Sequence, residues 1–360
     1  MSSESDTETR SLEPNNSPNQ SQHAIAVDDK GPEYERGAWT AVREYLMTNG
    51  WKSTEGDNHF KKQRQTADKV SDKNTEYFYT MMKTIAKDLD KATGALKLRG
   101  IANPSLLDMC TAPGGFVEVA LSKNPSIRVR AMSLPVKSGG HEIRLTRNTV
   151  NVELRDITTL AGDMGLTKDD IPTNFPGPYD FLFANVFDSS EKFDLVFCDG
   201  QVLRTHQRAE WREPREAGRL TLTQLALGLE HLNSGGTMVI LLHKLDSWRC
   251  FELIHQFSRM ARVQLFKHPR SHKMRSSFYL VAKNIQADGE YAKQMVASWK
   301  QKYRIATFGT DEEYAKMHQV SSQTAQMELE KFGKEYIALG RNIWRTQADG
   351  LENASFMKNE

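Results

Sequence analysis

Cysteine is scarce in this chain: Cys110, Cys198 and Cys250 are the three among 360 residues, far apart and with no CxxC pair. That spacing excludes a disulfide framework and a zinc knuckle, and it points to a reducing compartment. Long apolar runs are missing as well. None approaches the roughly 20 residues of a membrane span, and the N-terminus lacks the basic-then-apolar build of a secretion signal. Nor is there an excess of one charge. With 48 Lys and Arg against 46 Asp and Glu, the formal net charge is +2, so any basic surface must be local. The ten histidines show no metal-ligand spacing, and no metal is expected. A soluble intracellular protein, cytoplasmic or nuclear, is the expectation.

What is present divides the chain unevenly. Residues 1–37 are dominated by Ser, Glu, Asp, Asn and Gln and cannot bury enough apolar area to offset ordering, which predicts a disordered tail. Over residues 38–100, Trp39, Val42, Tyr45 and Leu46, then Tyr77, Tyr79, Met81, Met82, Ile85 and Leu89, recur near helical spacing and predict helices leading into a sheet. Apolar runs at 105–109, 128–134, 150–154, 193–198, 238–243 and 278–282 then alternate with helical or loop stretches. This alternation predicts an α/β domain over residues 101–287, its mostly parallel sheet covered by helices on both faces. Residues 158–191, with several prolines and glycines, read as a long loop or insertion. A helical extension follows over 288–360, with Met295, Trp299 and Tyr303 on one face.

In open sheets of this kind, ligands bind beyond the carboxyl ends of the strands, where strand order reverses. Asp108, Asp156 and Asp199 each end a predicted strand there. The run Leu-Leu-Asp-Met-Cys-Thr-Ala-Pro-Gly-Gly-Phe at 106–116 joins such a strand and its acid to a tight glycine turn entering a helix. Adjacent glycines have no Cβ to block a ligand, and Pro113 fixes its own φ, so the turn suits an adenosyl or amino-acid ligand. The GxGxxG spacing of a dinucleotide site is absent, which argues against a nicotinamide oxidoreductase.

Four segments in order carry a resemblance: LLDMCTAPGGF at 106–116, FDLVFCDG at 193–200, GGTMVILLHKLDSW at 235–248 and KHPRSHKMRSSFYLVAKN at 267–284. Together, over roughly residues 77–284, they resemble the successive motifs of the FtsJ/RrmJ-type RNA 2′-O-methyltransferases. The resemblance implies a Rossmann-like methyltransferase fold and S-adenosylmethionine as cofactor. It places Asp108, Cys110, Ala112, Pro113, Gly114, Gly115 and Phe116 at the cofactor's methionine end. Asp156 becomes the acceptor for the adenine amino group, and the ribose contact falls near Ser133, where no acid is available.

The family's Lys-Asp-Lys-Glu set serves the methyl transfer. Asp199 matches its Asp, and Asp199 also borders the cofactor. Lys83 is the candidate for the first lysine, with Lys87 one helical turn away as the alternative. Counting from Gly235 and Gly236 puts the second lysine at Leu241, whereas Lys244 follows three residues later and is taken as the base. Ser277 stands where the family has Glu, and a serine cannot supply that charge. His141, His243 and His272 fall near the same cleft.

Two basic stretches flank the presumed cleft, one with Arg204, Arg208 and Arg212, the other with Lys267, Arg270 and Lys273. RNA is therefore the expected partner, with Trp211 available for base stacking. Cap-proximal, ribosomal and transfer RNA share the same ribose chemistry. The altered set leaves room for a protein that binds the cofactor without turnover, and the scaffold leaves room for a small-molecule or protein acceptor.

Overall fold

A computed structural model describes residues 72–145, 150–176 and 179–354, together with positions 58, 61 and 62. The tail expected over 1–37 and the helical stretch around Trp39, Val42, Tyr45 and Leu46 lie outside the described residues. Helix α1 (Asp72–Thr93) buries Tyr79, Ile85, Ala86 and Leu89 and leaves Tyr77 65% exposed. It lies against α2 (Gly115–Lys123), the helix that leaves the glycine turn.

Seven strands form one sheet in the order β3-β2-β1-β4-β5-β7-β6. They are β1 (Ser105–Asp108), β2 (Arg128–Ser133), β3 (Asn151–Leu154), β4 (Phe193–Cys198), β5 (Leu232–His243), β6 (Arg262–Phe266) and β7 (Ser277–Ile285). The first five run parallel, while β7 is antiparallel to both β5 and β6. The chain winds outward from β1 to β3, then returns to the other side of β1 with β4, so strand order reverses between β1 and β4. Six strands match the apolar runs of the sequence, although β5 begins at Leu232 rather than 238. The edge strand β6 carries no uniform apolar run, because Arg262 and its neighbours are exposed or half-buried.

Strand alternation sorts the side chains onto two faces. Leu106, Leu195, Phe197, Val239, Leu241, Tyr279 and Val281 meet Ile85, Leu89, Phe116 and Val117 of α1 and α2. On the other face, Leu107, Val196, Cys198, Ile240, Phe278 and Leu280 meet α3 (Glu216–Glu230), α4 (Trp248–Ser258) and α5 (Glu290–Phe308). After the short α6 (Asp311–Lys316), the long α7 (Ser322–Glu352) lies against α4 and β6. Trp299 and Tyr303 of α5 are buried and Met295 is partly buried against the same core. Among the described residues of 158–191, the helical structure is the end of one single-turn 3₁₀ helix, Ile157–Thr159, and another at Lys168–Asp170.

No helix among the described residues is long and apolar enough to cross a membrane. By the same alternation, Asp108, Asp199, His243 and Ser277 all belong to the face covered by α1 and α2. One end of the sheet thus gathers the acid of β1, the acid after β4 and the facing ends of β5 and β7.

Candidate active site

Asp108 ends β1 and is buried at 2% exposure. Its carboxylate accepts hydrogen bonds from the Cys110 amide at 3.1 Å and the Thr111 hydroxyl at 2.7 Å. Burial outweighs both bonds and raises its pKa to about 6. Asp199, one residue past β4, is pushed well above the ordinary carboxylate range, first by burial and then by the charge of Asp108. Two carboxylates at the reversal of strand order thus repel each other in a poorly solvated place, an arrangement that favours a cationic ligand between or beside them.

The two glycines of the turn serve different neighbours. Gly114 takes a left-handed φ of 105° before α2, where a Cβ would lie 2.7 Å from the Leu145 side chain. At Gly115 a Cβ would lie 2.6 Å from Met82 Cβ and 2.7 Å from the Tyr79 carbonyl. Its bareness therefore lets α1 close onto α2, whereas the sequence suggested room for a ligand. Ala112, Pro113 and Phe116 complete the turn, with Phe116 buried at 1% exposure and tilted against Tyr279 at 5.4 Å between ring centroids. The Cys110 thiol is raised well above its ordinary range by burial and then by Asp108 and Asp199, so it stays protonated and is no nucleophile.

Ser133 closes β2 in a buried position, and its carbonyl accepts from the Arg155 amide at 2.7 Å. Asp156 departs from its expected role. One of its oxygens accepts from the Thr158 amide at 3.0 Å and hydroxyl at 2.8 Å; the other takes Arg212 at 2.6 Å and lies 3.3 Å from His206. Burial opposes its charge, but His206 and Arg212 prevail and hold the carboxyl far below its usual range. Both oxygens are committed, so Asp156 is a structural acid binding the loop after β4 to the turn after β3, not an open acceptor for adenine. Its ligand atoms lie within 4.8 Å of those of His206 and Glu216, and Arg212 already supplies the cation that such a cluster attracts.

The remaining members sit where α1, β4, β5 and β7 meet. The Lys83 ammonium lies 4.5 Å from the Tyr79 ring centroid, and its backbone amide faces Gly115. Gly200 follows Asp199 and is clamped by Gln224, whose carbonyl oxygen accepts from the Gly200 amide at 2.9 Å while its amide donates back at 3.3 Å. Leu241, at the family's second lysine position, packs into the apolar face. Lys244 lies beyond β5 with a left-handed φ of 56° and donates its amide to the Ser276 carbonyl at 3.2 Å. It is thus a turn residue rather than a strand residue. Ser277 pairs in register with His243, and their side chains hydrogen-bond at 3.1 Å. His243 reaches Gln201 as well, at 2.7 Å, a link between residues 42 positions apart that no local sequence pattern marks.

The family model for FtsJ-like methyltransferases matches residues 87–285. The chain belongs to the FtsJ-like methyltransferase family. Its sheet is accordingly the Rossmann-like methyltransferase sheet, and the reversal between β1 and β4 is where open sheets of this kind bind ligands. Among solved structures the chain is similar to a TehB-like SAM-dependent methyltransferase from Corynebacterium glutamicum, at 13% identity and a TM-score of 0.29, covering 55% of this chain and 85% of that one. No curated protein matches.

In this FtsJ-like protein, half of the basic residues expected on an RNA-facing surface turn inward. Arg212 is 4% exposed and bonds Asp156, Thr158 and Glu216. Arg208 donates to the carbonyls of Leu203 and His206 and pairs with Glu213 at 2.5 Å. Lys267 is 6% exposed and donates to the carbonyls of Arg275 and Ser277 and to Gln347; burial pushes its pKa down to about 7. These three are committed to internal partners that hold loops together, rather than offered to phosphates. Arg204 and Arg270 remain exposed and Lys273 half-buried. Trp211 and Tyr179 line an open cleft of about 810 Å³ beside the loop carrying Arg208 and Arg212.

Proposed function

We propose that this FtsJ-like protein transfers a methyl group from S-adenosylmethionine to a ribose 2′-hydroxyl of RNA. The observation that carries the reading is the pair of carboxylates, Asp108 and Asp199, both raised by burial at the ligand-binding end of the sheet. The cofactor, when bound, supplies a methyl carbon made electrophilic by a sulfonium, and its ammonium and sulfonium are the cations that such a pair favours. Asp108, fixed by Cys110 and Thr111, holds the ammonium; Asp199, fixed through Gly200 and Gln224, borders the reacting centre. The turn at 112–116 bounds the methionine end beside Asp108, and Ser133 borders the ribose. In-line alignment of the acceptor oxygen is the main task, and the ends of β5 and β7 beside Asp199 are where that oxygen is held.

RNA as the acceptor is supported by the family and by Arg204, Arg270 and Lys273 at the surface, with Tyr179 and Trp211 offering faces for bases. Calorimetry should detect binding of S-adenosylmethionine and of its demethylated product. Tritium should pass from the methyl-labelled cofactor into total RNA, with label recovered on ribose after digestion. Absence of any cofactor binding would sink the proposal. Binding without transfer would favour a second reading, a cofactor-binding protein without turnover, which rests on Leu241 and Ser277 standing in place of Lys and Glu.

A further inference from the structure

We propose that His243 is the general base of the methyl transfer in this chain, positioned by Ser277 and reached by the acceptor hydroxyl at the place where the Gln201 side chain now rests. This inference depends on the methyltransferase reading above. Its starting point is register. The last paired rung of β4 and β5 is Cys198 with Ile240, so Asp199 comes level with Leu241, and Gln201 with His243. Leu241 and His243 share a face, and His243 lies roughly 6–7 Å nearer the open edge of the sheet. A lysine at position 241 would have to extend along the sheet to reach that edge. The shorter imidazole starts from a point already closer to it.

The ring is held at both nitrogens. Ser277 Oγ lies 3.1 Å from Nδ1, and Gln201 Oε1 lies 2.7 Å from Nε2. Gln201 is itself oriented by donating its amide to the Gly200 carbonyl at 2.9 Å, so its carbonyl oxygen is the group that faces the ring. Ser277 and Gln201 differ in permanence. Ser277 is 5% exposed and fixed within β7, whereas Gln201 is exposed on the loop after Asp199 and can yield to a ligand. Against Gln201 Oε1 the ring carries its proton on Nε2; once Gln201 withdraws, the proton can reside on Nδ1 and be donated in a hydrogen bond to the Ser277 hydroxyl, which accepts as readily as it donates, leaving Nε2 bare.

This gives the serine a role that fits its chemistry. A glutamate suits a lysine, whose ammonium needs a counter-charge; a serine suits an imidazole, which needs only orientation. The charged groups facing the ring are Lys244, Lys267 and Arg275, with His272 also near. Partial desolvation of the ring and then those cations lower its pKa, so at neutral pH the imidazole is unprotonated and can accept a proton. The acceptor hydroxyl gives its proton to Nε2 as its oxygen bonds the methyl carbon, while the carbon–sulfur electron pair stays on the sulfur.

His243→Gln, His243→Ala and Ser277→Ala should be compared with the wild-type full chain for cofactor binding by calorimetry, tritium transfer to total RNA and histidine titration by NMR. Cofactor affinity should be kept in all three. Transfer should fall roughly 10²- to 10⁴-fold in both His243 variants, with partial recovery of His243→Ala by added imidazole. NMR should show His243 titrating below the ordinary histidine value, and Ser277→Ala should lower it further, because the lost hydroxyl favours the charged ring. The acid limb of the transfer rate should move with it, which a merely structural serine would not cause. Wild-type transfer preserved in His243→Gln, or an acid limb unmoved by Ser277→Ala, would overturn the assignment and leave the methyltransferase reading standing. A wild-type protein that binds cofactor but transfers nothing would overturn both.

Discussion

Asp108 and Asp199 are short side chains with large consequences, because each stands at the end of a buried strand where poor solvation raises its pKa. Asp108→Asn should weaken S-adenosylmethionine binding by roughly 10- to 100-fold, the loss of one charge-assisted bond, measured by calorimetry at pH 7.5. The same group sets a pH dependence. Since its free-protein pKa is raised to about 6, a cationic ligand meets the carboxylate above that value and must displace a proton below it. Affinity should therefore be constant above about pH 7 and fall toward tenfold per unit below pH 6; a flat profile would remove Asp108 from the ligand's contacts. At Gly200 a Cβ would stand 2.2 Å from Cys110 Sγ, so Gly200→Ala should lower both cofactor affinity and melting temperature. At this scale the strand-end acids and the glycine turn were legible in the sequence, since each is defined by its immediate neighbours. Arg212 was not. Its burial is decided by Asp156, Thr158 and Glu216, and Asp156 and Thr158 lie more than 50 positions away along the chain.

Elements meet through networks of this kind. Glu216 of α3 receives Arg212 at 2.5 Å and Arg219 at 2.9 Å, and Arg219 donates to the Thr158 carbonyl at 2.8 Å and to Thr307 of α5 at 3.1 Å. Burial opposes the charge of Glu216, yet the two guanidiniums hold its pKa low. Removing the acid takes the shared counter-charge from two buried cations, so Glu216→Gln should cost about 3 kcal/mol or more in urea unfolding. By contrast, Gly333 lies inside α7 with open space where its Cβ would be, and Gly333→Ala should raise stability by about 0.5–1 kcal/mol. Of the six strands legible as apolar runs, five lie inside the sheet with neighbours on both sides, and the sixth, β3, is an edge strand marked by Val152 and Leu154. The seventh, β6, escaped because an edge strand needs only one buried face and here carries polar residues between its apolar ones.

At the scale of the whole molecule, a formal charge of +2 conceals a division of labour among the cations. Those in the interior, Arg208, Arg212, Arg219 and Lys267, are structural, and those left outside set any long-range attraction for a polyanion. If RNA is the acceptor, Arg270→Ala should reduce the salt dependence of RNA binding by about one phosphate contact, read from affinity against salt concentration. Lys267→Met should leave that slope unchanged while lowering the melting temperature. Surface position of this kind is a property of the completed fold, which is why the basic stretches read alike in the sequence and differ in the structure.

Helix α7 does more than cover β6. Tyr336 donates its hydroxyl to the Leu245 carbonyl just after β5, and Gln347 accepts from Lys267, whose other bonds include the Ser277 carbonyl. The turn after β5 and the start of β7 are thus both tied to a segment made after every strand of the sheet. During synthesis the end of the sheet bearing Asp108 and Asp199 can assemble first, and the end bearing His243 gains its brace only when residues 322–352 have left the ribosome. A nascent chain halted before then would have its whole sheet but a slack turn after β5.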